Sequence, residues 1–277
     1  MKADLHMHTT YSDGRLDPKT VIKRAQQAGM DYIAITDHDT VGDVDAMVEY
    51  GHQIGIEVIP GIELSTLYQG KSVHVLGYFR DDSYHHPTML AYYKDIKTKR
   101  EKRAKRIIAK LKDYHNIYIT YDEVYQNAQG IIARPHIAKA IIDRYPDYNH
   151  DRVFDELIGD HCKAYEPSVE LPLSDGIQLL RKFNCVVVLA HPTLLKPHIK
   201  EAVLTHDYDG LEATYYRNKD GEEAFFTELA TSRGMIITGG SDFHGIKNDS
   251  KHGDIGDIYI EGDDLDAFLN LLKKSRL

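Results

Sequence analysis

The 277-residue sequence predicts an α/β fold, a closed or nearly closed barrel of seven strands interrupted by a helical insert. Three observations carry this. Seven short apolar runs, several rich in Val and Ile, each end in a polar residue, and most are followed by Gly, Pro or Asp, which is the grammar of strands. Stretches with helical spacing separate most of them, so strand and helix alternate toward both ends of the chain, as in a parallel sheet. From about residue 85 to 166 that rhythm stops and only helical patterns remain.

In chain order, strands are expected at residues 3–8, 32–37, 57–63, 72–79, 186–191, 211–215 and 235–241. Val21, Ile22, Ala25 and Ala28 share one face of a helix over 18–28, and residues 41–54 follow strand two as another. Ile177 and Leu180 mark a helix over 174–183. Residues 94–112 form a long helical pattern with ten Lys or Arg among nineteen positions, followed by helices near 122–128 and 135–144. The expected organisation is a barrel of residues 1–84 and 167–277, with residues 85–166 as a substrate-capping helical insert. An open doubly wound sheet is the alternative, and it would often carry a glycine-rich phosphate loop after its first strand. Neither GxGxxG nor GxxxxGK[ST] occurs, which argues against dinucleotide-binding and P-loop readings.

Composition narrows the class. Net charge is −9, so a broad nucleic-acid-binding surface is disfavoured because it would repel phosphates. The longest apolar run, residues 185–190, is far short of the roughly 20 residues that span a bilayer. No apolar signal core opens the sequence. Two cysteines make no disulfide framework and no cysteine-rich zinc site. A cytoplasmic protein with no membrane association and no obligate protein partner is expected. The unusual entry is histidine, 16 residues.

Those histidines cluster with carboxylates. In Asp4-Leu5-His6-Met7-His8, alternation along a strand points His6 and His8 to one side and Leu5 and Met7 to the other. The two imidazoles can converge on one ion, and Asp13 follows in the loop. The same chemistry recurs at Asp37-His38-Asp39, Glu63, His74, His191 and Asp242-Phe243-His244. In a parallel barrel the C-terminal strand ends surround one mouth, so these distant residues would face each other.

The motifs DLHMHTTYSDG, ITDHDT, GIELS, VHVLGY, AHP and GSDFHG, in that order, resemble the PHP (polymerase and histidinol phosphatase) family of metal-dependent phosphoesterases across almost the whole chain. The insert segments KREKRAKRIIAKL, ARPHIAKAI and YEPSVELPLSDGI are similar to stand-alone members acting on nucleoside bisphosphates and short RNA ends. The resemblance implies a distorted (β/α)7 TIM-like barrel and three divalent metal ions. It implies that His6, His8, Glu63 and Asp242 hold the first, that Glu63 bridges to a second held by His74 and His191, and that Asp13, His38 and His244 hold the third. Six imidazoles and three carboxylates suit Mn, Fe or Zn better than Ca or Mg.

The expected reaction is hydrolysis of phosphate from a nucleotide, a nucleoside 3′,5′-bisphosphate first and short RNA or DNA ends second, by a metal-bridging hydroxide. Asp37 and Asp39 flank a ligand and are candidates to orient an imidazole, with Asp37 the stronger. Arg134 offers a bidentate fork for a second phosphate. His136 is a candidate proton donor to phosphate or leaving group, and Arg217 a further phosphate contact. His85, His86, His115 and His252 read as surface or packing residues, and the basic helix 94–112 as a solvated face or an RNA track. Histidinol-phosphate phosphatase is the alternative enzyme. A non-catalytic metal-binding regulatory module is the alternative of another class, and it is disfavoured because no ligand position is lost.

Overall fold

The computed structural model describes residues 1–274 except 129, 168–170 and 248; Ser168, Val169 and Glu170 of the YEPSVELPLSDGI motif thus lie outside the described residues. Seven main strands form the barrel wall: β1 (Lys2–Met7), β2 (Tyr32–Ile35), β3 (Glu57–Tyr68), β4 (Lys71–Phe79), β5 (Cys185–Leu189), β6 (Gly210–Tyr215) and β7 (Ile236–Gly240). A two-residue strand, β8 (Ile260–Glu261), pairs antiparallel with β1, giving the order β7-β6-β5-β4-β3-β2-β1-β8. The edges β1 and β7 meet through a Met7–Phe243 bridge, where the His8 N–H donates to the Phe243 carbonyl at 2.8 Å. The barrel is therefore nearly closed.

The strand positions agree with those expected, but the barrel is not all parallel. β4 runs antiparallel to both β3 and β5, while the other neighbours along β1 to β7 are parallel. The cause is local. Only Gln69 and Gly70 separate β3 from β4, at φ +49° and +73°, the conformation that folds a tight hairpin. A parallel crossover needs a dozen or more residues. The inversion brings the start of β4, and with it His74, to the mouth reached by the ends of its neighbours.

Helices α1 (Pro18–Gln27) and α2 (Val44–Ile54) connect the first three strands. Asp17 and Asp43 cap them by accepting backbone N–H bonds from Thr20 and Ala46, which satisfies donors left open at a helix start. Their apolar faces, including Val21, Ile22 and Met47, pack in one core with Met7, Ile33, Ile35 and Val58.

The middle of the chain is helical: α3 (Pro87–His115), α4 (Tyr121–Gln126), α5 (Arg134–Arg144), α6 (His150–Val153) and a π-helical turn, Phe154–Ile158. Met89 near the start of α3 belongs to the barrel core, whereas Ile107 and Leu111 join Val124, Ile137, Ile141, Val153 and Leu157 in a separate one. Two of the ten basic positions in 94–112 are buried: Arg100 and Arg103. Arg103 donates to the Glu166 carbonyl, and Arg100 reaches the barrel.

Alternation resumes with α7 (Leu173–Lys182), α8 (Pro197–Leu204), α9 (Glu222–Ser232) and the terminal α10 (Gly262–Lys273). Leu265, Phe268 and Leu269 of α10 pack with Leu5 of β1, Tyr78 of β4 and Val186 and Val188 of β5. The Tyr78 hydroxyl donates to the Leu5 carbonyl at 3.0 Å. Among the described residues, no helix is long and apolar enough to cross a membrane.

Candidate metal centre

The strand that carries His6 and leads into His8 is irregular. The β1–β2 register shifts between Asp4 and Met7, and bulges of this kind re-aim side chains beside functional sites. Leu5 and Met7, expected on one face, fall into different apolar clusters. His6 and His8 still converge, with ring centroids 5.2 Å apart, and both are fully buried.

Glu63 is the hub. Its Oε1 lies 2.9 Å from His74 Nδ1, 2.9 Å from His191 Nε2 and 3.5 Å from His6 Nε2. Its Oε2 lies 2.8 Å from His38 Nδ1 and 3.3 Å from His8 Nε2. Asp242 Oδ1 is 3.2 Å from His8 Nε2 and 3.4 Å from His6 Nε2. Asp13 closes the far side, with Oδ1 3.4 Å from His244 Nε2 and Oδ2 3.7 Å from His38 Nε2. All nine sequence-predicted donors thus converge, and their ligand atoms form overlapping groups such as His8–Asp13–His38–His244, His6–His8–Glu63 and His6–His191–Asp242, each within 4.8 Å.

Two features fit these residues to metal. First, His6 Nε2, His8 Nε2, His38 Nδ1, His74 Nδ1 and Glu63 Oε2 are buried with no aligned hydrogen bond, although each has an oppositely charged partner within 2.8–3.5 Å. Unsatisfied buried polar atoms are costly, and atoms that approach without bonding one another are disposed to share an ion. Second, the opposite ring nitrogens are anchored. His6 Nδ1 is 2.8 Å from Glu212 Oε1, His8 Nδ1 3.4 Å from Ser12 Oγ, His74 Nε2 3.1 Å from Ser72 Oγ and His244 Nδ1 2.7 Å from the Asp242 carbonyl. That pattern sets the tautomer of a metal-binding imidazole.

The field is consistent with this. Burial would raise the carboxyls of Asp13, Glu63 and Asp242, but the surrounding imidazoles hold all three well below the usual carboxylate range. Burial would lower His8, but the Asp242 and Glu63 carboxylates beside it raise it to about 10. His6 and His38 are raised in the same way, burial being outweighed by neighbouring carboxylates. Backbone strain concentrates here too: His191, Asp242 and Asp39 have φ of +27°, +53° and +55°, a costly conformation for residues with side chains.

The remaining predicted residues divide. Arg217 and Arg134 line a cavity of about 570 Å³ above the donors. Arg134 is engaged there by Asp160 at 2.8 Å and lies over the Phe154 and Tyr165 rings. His136 differs from expectation. It is 1% exposed, its Nδ1 accepts the Ala133 N–H at 3.0 Å, and burial pushes its pKa down to about 4 despite a bond to the Ser12 backbone. It caps the start of α5 against the Ser12–Asp13 loop and does not line the cavity.

Asp37 does not touch an imidazole either. It accepts from the Thr9 N–H (2.8 Å), the Thr9 hydroxyl (2.6 Å) and the Ser12 hydroxyl (2.5 Å), and Ser12 is the partner of His8. Asp39 accepts from the Ser65 N–H at 2.7 Å and pairs with buried Arg100, which also donates to Ser65 Oγ at 2.9 Å.

Three functional positions escaped sequence reasoning. Glu212 is fully buried on β6 and bonds both His6 and the His191 N–H, the latter at 2.7 Å; a carboxylate inside an apolar strand was its signal. Asp4 accepts from the Ser241 N–H and hydroxyl, at 3.0 and 2.6 Å, tying β1 to the segment that carries Asp242. Burial raises its pKa to about 7 against these bonds. His252, read from sequence as surface or packing, stacks on His244 at 4.1 Å between ring centroids, is held by Asp249 at 2.7 Å, and lines the cavity.

Comparisons with known proteins place the chain in a family. The model of the PHP domain family matches residues 4–166. The 5′-3′ exoribonuclease of Haemophilus influenzae is 28% identical, over 88% of this chain and 90% of its own. The 3′,5′-nucleoside bisphosphate phosphatase of Chromobacterium violaceum is 26% identical, over 87% and 86%. A solved structure from Bifidobacterium adolescentis, classed as a metal-dependent phosphoesterase, superposes with a TM-score of 0.85 at 27% identity, covering 97% of this chain and 96% of that one. With the family model spanning more than half of the sequence, the chain belongs to the PHP domain family, as a metal-dependent phosphoester hydrolase.

Proposed function

We propose that the chain hydrolyses phosphate esters of nucleotides, a nucleoside 3′,5′-bisphosphate foremost and the 5′ ends of short RNA or DNA second. The observation that carries this is a nine-donor cluster with orphaned buried nitrogens, opening into one cavity rimmed by Arg134, Arg217, Lys247 and Lys251. Phe154 and Leu194 in the same cavity offer apolar surface for a base. The names of the bisphosphatase and exoribonuclease relatives support the same substrate class.

In this reading His6, His8, Glu63 and Asp242 hold one ion, Glu63, His74 and His191 a second, and Asp13, His38 and His244 a third, with Mn, Fe or Zn suited to the nitrogen-rich set. The ions would supply Lewis-acid charge to the phosphoryl oxygens and activate water. The chain's own part is positional. Glu212 and Ser72 keep the free lone pairs of His6 and His74 turned toward Glu63. Asp37 fixes Ser12 and thereby His8 and Asp13, and His136 braces the same loop from α5. Arg217, Lys247 and Lys251 receive the non-reacting phosphate, joined by Arg134 through the guanidinium nitrogens that its pairing with Asp160 leaves open. Residues 85–166 act as a cap over a barrel formed by 1–84 and 167–277, in the cytoplasm.

The test is a panel of adenosine 3′,5′-bisphosphate, histidinol phosphate and 5′-phosphorylated oligonucleotides, run with metal analysis. Turnover of the bisphosphate well above histidinol phosphate is expected. Metal-replete protein that leaves both bisphosphate and oligonucleotides intact would refute the reading.

A further inference from the structure

The donors are reached from a second opening. A smaller cavity of about 190 Å³ is lined by Lys71, Ser72, Asp160 and Lys196, and shares His74, His191 and Leu194 with the large cavity. The two cavities meet at the same pair of imidazoles.

The character of the smaller one is cationic. Lys71 begins β4 just after the Gln69–Gly70 turn, and Lys196 immediately precedes α8. Among the described residues neither lysine forms an ion pair, whereas Lys200 on the next turn is bound to Glu222. Among the described residues the one acid lining this cavity, Asp160, is paired with Arg134. The first turn of α8 has Pro197 at its start and no side-chain cap, so the positive end of that helix adds to the field.

A second opening bears on substrate class. A phosphomonoester has one organic substituent, and the large cavity suffices for it. A phosphodiester has two, and the second must leave the reacting phosphorus by another route. We propose that the smaller cavity is that route, and that Lys71 and Lys196 bind the phosphate next to the reacting one in an oligonucleotide strand. This rests on the phosphohydrolase reading above and adds a subsite to it. The second phosphate of a mononucleotide bisphosphate carries the same chemistry, but it would sit in the large cavity with Arg217, Lys247 and Lys251.

The experiment separates these sources. Lys71→Ala/Lys196→Ala is compared with wild type on adenosine 3′,5′-bisphosphate and on a 5′-phosphorylated tetraadenylate. Binding of a labelled, hydrolysis-resistant phosphorothioate tetranucleotide is followed by fluorescence anisotropy over a salt series. The expected result is a loss of kcat/KM on the tetranucleotide at least about tenfold greater than on the bisphosphate, with the salt slope of binding shallower by about 0.7 for each phosphate no longer neutralised. Lys71→Arg/Lys196→Arg should retain most of the binding. Equal losses on both substrates, or an unchanged salt slope, would overturn the proposal. Wild-type protein that turns over neither probe refutes the hydrolase reading instead, while the anisotropy series still decides the subsite because binding needs no turnover.

Discussion

Replacing Glu212 by Gln changes one oxygen to an amide nitrogen and leaves the shape of the side chain. Glu212 accepts two hydrogen bonds, one at each carboxylate oxygen: from His6 Nδ1 at 2.8 Å and from the His191 N–H at 2.7 Å. Gln has only one oxygen, so it cannot accept both. If its oxygen stays on the His191 N–H, its NH2 faces His6 Nδ1, and the imidazole must move its proton to Nε2. That proton then occupies the lone pair aimed at Glu63 and Asp242. If the amide turns the other way, the His191 backbone, already at φ +27°, loses its anchor. Loss of such an outer partner typically costs 10–100-fold in metal affinity, or about 1.4–2.7 kcal/mol. The assay is chelator competition for the metal constant, with stoichiometry by elemental analysis and far-UV circular dichroism to confirm folding. A Glu212→Gln protein binding all its metal within twofold of wild-type affinity would refute the assignment of Glu212 as the group that sets the His6 tautomer.

Two further predictions concern stability. Arg100→Met removes two charge-assisted bonds, to the Asp39 carboxylate and to the Ser65 hydroxyl, each about 1.5–3 kcal/mol; because Asp39 is fully buried, urea unfolding should show a loss of about 3–5 kcal/mol, and adding Asp39→Asn should recover part of it. Glu222 is held by Thr193, the Lys219 N–H and Lys200, which outweigh its partial burial and depress its pKa to about 2. A depressed carboxyl stabilises the fold above its unfolded value near 4.5 and loses that contribution as pH falls toward 2. Discounted for solvent screening, about 2 kcal/mol should separate Glu222→Gln from wild type at pH 7. Thermal melts should show the two converging near pH 2; a gap that persists there would count against the linkage.

The barrel was legible because its strands are dense in Val and Ile and because several donors stand at or near the end of an apolar run. His6, His8, Glu63, His191 and Asp242 could all be found that way. The same rule was silent on Glu212, which lies within its strand, and on His252, which sits in a loop with no periodicity. It also treated strand four as one more parallel strand, although Gln69-Gly70 leaves too little chain for a crossover. His136 looked reactive from its type and neighbours; only its packing shows both ring nitrogens already engaged, by Ala133 and by Ser12. Likewise the ten-cation run in α3 read as one charged face, while Arg100 and Arg103 are buried as ties to the barrel and to residue 166.

The reversed strand is the feature on which the site turns. His74 is the fourth residue of β4. In a parallel strand that position would lie at the floor of the barrel, far from the mouth, and Glu63 would lose one of its two closest Oε1 partners. Reversing β4 brings His74 opposite Ser65 on β3, two residues beyond Glu63. Reversing again at β5 restores the original direction, so that His191, just past its C-terminal end, arrives at the same carboxylate from the other side. The reversal also leaves the β3–β4 turn at the mouth, which is why Lys71 stands beside His74. One two-residue turn thus brings His74 to Glu63 and carries a cation to the outer edge of the cluster. A net charge of −9 is no obstacle to an anionic substrate when the cluster's own carboxylates are surrounded by imidazoles and lysines and arginines line the ways into it.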